Sequence, residues 1–421
     1  MVTKYHPTVI FLLVSTVPFL FSIARLLFSQ DRIDLSIFHN DYPNGPTNIR
    51  HNAAQHTFSA CLLFNDDIHF LVEWLAYHWT ILPLRRLIVA IDPLSNTNPS
   101  RILRRWKSFM NVSIWEDDFF FNRFHRSSIL RSVNVNDTST ILINVHRQRQ
   151  KMFYFQCMRK LKDEGQHWTA FVDTDELVFQ NENHLRLRKS LPQQTNKTVS
   201  RLLHELQESK QVASPCVGLP RLLFGTKEDS KGDSEAVAHG SLLPEIGVAP
   251  TDFMTLRWRW HAGNDNRLNR AGKALVDLSR IPNGLLLLDN VNAHRPIKQL
   301  CTNDAMWIRI DESPLVLHHY VGTYQQWISR DDVRNKRTSI LYSEMAAVNH
   351  TKDSNERAWL KYFIKAIGEK NAAMLLNDVG KVESTPKAER MSPEAKLAKL
   401  SSLLYGKKTR KLLVPGTVVK K

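Results

Sequence analysis

Residues 168–179 read "WTAFVDTDELVF". An apolar run ends in Asp173-Thr174-Asp175-Glu176 and then resumes. Side chains alternate along an extended chain, so Asp173 and Asp175 leave on one side. Like charges this close resist burial together. The stretch therefore predicts a buried strand whose end needs a cation, and a divalent ion with oxygen ligands suits a D-x-D spacing. An Asp-rich turn that caps its own backbone is the plainer alternative.

The segments before this stretch alternate in character. "FSACLLF" (58–64) reads as a buried strand and "IHFLVEWLAYHWTIL" (68–82) has helical spacing. "RRLIVAID" (85–92) is a second strand, "PSRILRRWKSF" (99–109) a second helix and "NVSIWED" (111–117) a third strand. A long polar loop follows, then the helix "HRQRQKMFYFQCMRKLKDEG" (146–165) leading into the D-x-D strand. Such alternation predicts an α/β fold, a mostly parallel sheet with helices on both faces. Ligands in these sheets bind beyond the carboxyl ends of the strands. Asp92, Glu116 and the Asp173–Asp175 pair all fall at such ends, which predicts one shared crevice.

Farther along, residues 225–250 form a Gly- and charge-rich loop longer than a connection needs. "LVLHHYVG" (315–322) is strand-like, and only one of His318 and His319 can face a metal. Mn²⁺ takes imidazole as well as carboxylate, more readily than Mg²⁺ does. Residues 357–376 read as one amphipathic helix, and the basic tail of 379–421 is expected to be disordered.

Composition narrows the class. The chain has 421 residues, 43% hydrophobic and 23% charged, which is globular. Its net charge of +16 is concentrated at the end, where Lys381–Lys421 carries 11 basic and 3 acidic residues. No basic face interleaved with aromatics and no nucleic-acid module is visible, so no nucleic-acid partner is expected. Tyr5–Ala24 is an uncharged run of 20 residues, long enough at about 1.5 Å each to cross a hydrocarbon core. It reads as a signal anchor (1–28), with a cleaved signal peptide as the rival. Residues 29–57 are a polar stem, and the domain occupies 58–378. Sequons at Asn111, Asn136, Asn196 and Asn349 suit a luminal domain. Of the four cysteines, Cys216 and Cys301 are a candidate bridge. Cys61 and Cys157, inside apolar segments, read as buried free thiols.

Three blocks carry a resemblance: "CLLFNDDIHFLVEWLAYHW", "FYFQCMRKLKDEGQHWTAFVDTDELVF" and "LVLHHYVGTYQQW". Together they resemble the GT-A glycosyltransferases of the family 92 and family 2-like group, over roughly residues 58–340. The resemblance implies a GT-A (Rossmann-like) domain and a UDP- or GDP-sugar donor. It implies a glycan, glycoprotein or glycolipid acceptor, and Mn²⁺ or Mg²⁺ on the diphosphate. By it, Asp173, Asp175 and His319 would hold the metal, and Asp66, Asp92 and Asp173 would contact the nucleotide-sugar. With the anchor, it implies a single-pass protein of the Golgi or endoplasmic reticulum with a luminal domain. An inverting reaction needs a carboxylate base, for which Asp304, Asp265 and Glu245 are candidates. Arg330, Arg334 and Arg337 could offset leaving-group charge. Glu73 and Asp92 are equally suited to nucleotide contact and to local capping. A phosphoester enzyme and a non-catalytic carbohydrate-binding protein on the same fold are the alternatives.

Overall fold

The computed structural model describes residues 57–121, 138–181, 199–209, 214–227, 248–270, 272–302, 309–330, 338–353, 358–381 and 391–405. The segment 5–24 and the stem through His56 lie outside them, as do Asn136, Asn196, Asp304, Glu245, Arg334 and Arg337. Among the described residues no helix is long and apolar enough to cross a membrane.

The predicted alternation is present. Strand β1 (Phe58–Phe64) leads to helix α1 (Ile68–Ile81), β2 (Leu84–Ile91), α2 (Ser100–Trp106) and β3 (Asn111–Trp115). Helix α3 (Thr138–Asp163) starts eight residues before the expected boundary and runs to β4 (Trp168–Phe171). β1 pairs in parallel with β2 on one side and β4 on the other, and β2 pairs in parallel with β3. All four strands thus end on one edge of the sheet, which places Asp92 and Asp173 on the same side.

Alternate residues of each strand feed alternate faces. Phe58, Ala60, Leu62 and Phe64 of β1 join Leu84, Leu87 and Val89 of β2 against α1 and α2. Cys61, Ile88 and Ala90 point the other way, into a second core built on α3. The sheet is therefore covered by helices on both faces.

The sheet is less parallel than expected. Its order is β3-β2-β1-β4-β9-β6, and β9 (Lys273–Asp277) runs antiparallel to both β4 and β6 (Cys216–Leu219). A second, five-stranded sheet was not foreseen as such. Its order is β11-β8-β7-β10-β5, with β5 (Glu176–Gln180), β7 (Arg221–Phe224), β8 (Trp260–His261), β10 (Leu315–Tyr320) and β11 (Thr351–Lys352). The D-T-D turn is the passage from the first sheet to the second, because β4 ends before it and β5 begins with Glu176.

Three further expectations are corrected. Cys61 and Cys157 are not free thiols: they form a disulfide between β1 and α3, alongside the expected Cys216–Cys301 bridge. Their apolar surroundings are the reason both ends of the bridge are buried. The helix expected over 357–376 is two, Trp359–Ile367 and Glu369–Leu376, broken at Gly368 with φ 84°. That left-handed backbone suits glycine and cannot continue a helix. Within the tail expected to be disordered, Pro393–Tyr405 is helical and buries Leu397 and Leu400 against the α3 core.

The Cys61–Cys157 bridge closes a separation of 96 residues. Chain entropy gives a loop of that length about 4–5 kcal/mol of stabilisation. Replacing both cysteines by alanine is expected to cost most of this in denaturant unfolding. An unchanged unfolding midpoint would show that the bridge constrains nothing in the unfolded chain.

Candidate functional site

The strand order reverses beside β1. From β1 the chain steps outward through β2 to β3, then returns across to β4. Such a switch point opens a crevice between neighbouring loops at the carboxyl ends. Here those loops are Asn65-Asp66-Asp67 after β1 and Asp173-Thr174-Asp175 after β4.

The two acids after β1 do different work. Asp66 has φ 60°, a conformation aspartate tolerates. Its buried carboxylate accepts hydrogen bonds from the backbone N–H groups of Asn96 (2.5 Å) and Thr97 (3.0 Å) and from the Ser95 hydroxyl (3.0 Å). These bonds fasten the loop after β2 and engage the carboxylate expected to contact the nucleotide. Asp67 faces the switch point instead, with Oδ1 2.6 Å from Nε of Arg330. Burial pushes its carboxyl up to about 7, against the pull of Arg330 and with Asp175 adding to the rise.

Asp92 leaves the expected edge but is also committed to structure. It is buried, 3.2 Å from both Arg149 Nη1 and His146 Nδ1, and it accepts from the Leu94 N–H at 2.9 Å. Burial raises its carboxyl, but Arg149, His146 and the Leu94 N–H together outweigh this and hold it well below the usual range. Glu73 likewise resolves to capping. It accepts from the backbone N–H groups of Met254 (2.6 Å) and Thr255 (3.0 Å) at the start of the short helix Met254–Arg257.

The D-T-D-E turn meets two protein cations. Lys273, buried at the start of β9, places Nζ 2.7 Å from Asp173 and 3.4 Å from Glu176. Burial alone would lower the Lys273 pKa, but Asp173 and Glu176 raise it beyond its ordinary value. The same lysine outweighs the effect of burial at Asp173 and keeps that carboxyl low. Asp175, nearly inaccessible, is 2.7 Å from Nη1 of Arg330 and 3.7 Å from Nε2 of His319. Burial pushes Asp175 up, and the charges of His319 and Arg330 more than reverse it.

Local chain geometry delivers His319 and Arg330. β10 pairs antiparallel with β5, with His319 opposite Glu176 and His318 opposite Leu177. His319 Nδ1 lies 3.4 Å from Glu176, so its Nε2 turns toward Asp175. His318 takes the other face, stacked at 3.8 Å on Phe179 and 4.4 Å from Phe224. After β10 the chain turns at Gly322 (φ 77°), where a Cβ would lie 2.9 Å from Phe70 Cζ. Thr323 then caps helix Tyr324–Ser329 through a reciprocal pair with Gln326. Arg330 follows that helix and reaches back to Asp67 and Asp175.

The residues fit a divalent cation in part. A carboxylate backing one imidazole nitrogen leaves the other free as a ligand, the arrangement metal-bound histidines use. Glu176, His319 and Asp175 have that order. Asp173 does not join them, since its carboxylate is drawn to Lys273. Among the described residues no group of three or more His, Cys, Asp and Glu side chains is gathered to hold a metal ion. Asp265, a candidate base, is exposed in the turn after β8.

Sequence reasoning missed Lys273 and chose Asp66 over Asp67. Nothing local marks a lysine at the start of a strand as the partner of an acid 100 residues earlier. For Asp67 a signal existed: it directly precedes α1 yet makes no side-chain cap bond there, which leaves its carboxylate for another partner. No protein-family model matches the chain, and no curated protein sequence matches it.

Removing one partner from a buried charge cluster is costly, typically about 3–5 kcal/mol. Lys273→Met is therefore expected to lower stability by that amount in chemical unfolding. An unchanged unfolding curve would show that Asp173 and Glu176 do not depend on this lysine. For the adjacent imidazoles, His318→Ala empties an aromatic slot and is expected to cost about 2–4 kcal/mol, by analogy with other large-to-small core changes. His319→Ala, at the crevice, is expected to cost less than about 1 kcal/mol. Equal losses would contradict the alternation of β10.

Proposed function

We propose that this chain is a membrane-anchored, metal-dependent glycosyltransferase that moves a sugar from a nucleotide-sugar to a glycan, glycoprotein or glycolipid acceptor. One observation carries the reading. A D-x-D turn leaves the sheet at its switch point, with a carboxylate-backed histidine from a separate strand beside its second aspartate. In this reading Asp175 and His319 hold the metal and Asp67, not Asp66, lines the crevice. A bound divalent cation would offset charge growing on the diphosphate leaving group. Glu176 orients His319, and Lys273 keeps Asp173 ionised. The GT-A resemblance and the covered, switch-pointed sheet agree in kind. Two disulfides suit an oxidising lumen, in keeping with residence in the Golgi or endoplasmic reticulum.

A second reading has one observation in its favour. Asp173 and Asp175 are already neutralised by Lys273 and Arg330, as they could remain in a carbohydrate-binding protein without catalysis. Incubating the luminal domain with a panel of UDP- and GDP-sugars and Mn²⁺ separates the two. Released nucleotide, abolished by EDTA, is expected for one donor. Asp175→Asn and His319→Ala are expected to lower that release at least about 100-fold while thermal melts still show a cooperatively folded domain, and His318→Ala to lower it less. Asp304→Asn, Asp265→Asn and Glu245→Gln test the base in transfer to an acceptor. Full activity in Asp175→Asn would remove the metal assignment, and glycan binding without nucleotide release from any donor would favour the second reading.

The anchor has its own test. In sealed microsomes the domain is expected to be protected from protease until detergent is added, and glycosidase is expected to shift its mobility. Digestion without detergent and no mobility shift would remove the luminal placement.

A further inference from the structure

The Arg330 guanidinium already occupies one oxygen of Asp175, the carboxylate that would hold the metal in the proposed reading. Its Nη1 is 2.7 Å from Asp175 Oδ2, the oxygen that also faces His319 Nε2 at 3.7 Å. Both candidate donors therefore converge on a position beside an existing positive charge. A divalent ion and a guanidinium cannot share one carboxylate oxygen at that range without strong repulsion, because the site is nearly closed to water. Arg330 has a second anchor on the opposite wall. Its Nε is 2.6 Å from Asp67, and its guanidinium lies 4.9 Å from the centre of the Phe70 ring.

One more buried group feels the Arg330 charge. His69, in the first turn of α1, is 2% exposed, and its Nε2 has no hydrogen-bond partner among the described residues. Burial first, and then the Arg330 charge, hold it neutral. An uncharged imidazole with an unsatisfied nitrogen next to a guanidinium is a poor resting arrangement for either. It is a better one for a site whose occupant changes.

We infer that Arg330 is a built-in counter-cation that competes with the divalent metal for Asp175 and stays held at Asp67 when the metal takes its place. The inference rests on the metal assignment under the proposed function and adds to it a residue that sets metal affinity. Arg330 and Asp67 leave and keep their contacts separately, since Nη1 serves one carboxylate and Nε the other. Releasing the hydrogen bond to Asp175 while keeping the ion pair with Asp67 moves one side chain and not the fold. The arrangement also removes the need for a metal to fold: the D-x-D charge is offset before any ion arrives.

The test reads metal binding directly, without donor or turnover. Mn²⁺ affinity is measured by calorimetry and by Mn²⁺ electron paramagnetic resonance on the intact luminal domain. The proteins are wild type, Arg330→Gln, Arg330→Lys and Asp175→Asn. Arg330→Gln removes the competing charge and is expected to bind Mn²⁺ at least about tenfold more tightly. Arg330→Lys keeps the charge but not the two-pronged reach, and is expected to fall between wild type and Arg330→Gln. Asp175→Asn is expected to lose the binding. Thermal melts without metal should fall for Arg330→Gln and recover on adding Mn²⁺, which also shows that the variant is folded. Equal affinity in wild type and Arg330→Gln, with loss in Asp175→Asn, would overturn the competition and leave the metal assignment standing. No Mn²⁺ binding in any of the four would overturn both.

Discussion

Neutralising the acidic turn of residues 173–176 is the constraint around which the described structure is arranged. The turn carries three carboxylates through the passage between two sheets, with Asp175 and Glu176 shut off from water and Asp173 half-buried. The two buried ones must meet a positive charge or stay protonated. Lys273 enters from β9 of the first sheet and Arg330 from beyond β10 of the second, so both sheets contribute to one electrostatic knot. The same contacts fix how β4 hands over to β5. Asp173 N–H donates to Glu176 at 2.8 Å, closing the turn on itself. Tyr320 N–H donates to the Asp175 carbonyl at 2.9 Å, tying the end of β10 to its far side.

This arrangement answers the question raised by the sequence in a form the sequence did not suggest. A cation was required beside D-T-D-E, and a metal was the natural candidate from spacing alone. The chain provides two side-chain cations of its own. In the proposed reading a metal would exchange with one of them at Asp175, and Asp173, held by its buried lysine, would not be among the ligands. Charge balance thus precedes ligand binding. The protein can fold around the acids first and bind afterwards.

What could be read in the sequence follows the range of the interactions. Buried parallel strands announce themselves as apolar runs such as "FSACLLF", because every side chain in them is covered. The alternation of His318 and His319 was legible for the same reason, since it depends only on neighbours. Gly368 was visible as a glycine, but its left-handed backbone was not, and so two helices read as one. Strands of two to five residues, such as Trp260–His261, carry too short a pattern to reveal a second sheet. Cys61 and Cys157 looked like core thiols because burial is equally true of a buried bridge. The contacts of His146 with Asp92, of Lys273 with Asp173 and of Arg330 with Asp175 span 54 to 155 residues of chain, and no local pattern encodes a partner at that range.

The two adjacent histidines of β10 make the site sensitive to chain length in an unusual way. Inserting one residue in the connection before Leu315 could be absorbed by sliding the strand one position past β5. Every side chain would then exchange faces. His318 would come opposite Glu176, so an imidazole would still face Asp175, while Leu317 would enter the slot between Phe179 and Phe224. The imidazole beside Asp175 would survive the slip, and the penalty would fall on packing and on the turn at Gly322. A doublet of histidines thus makes this position more tolerant of a one-residue insertion than the core behind it. Single-residue insertions in that connection would lose stability before they lose the imidazole.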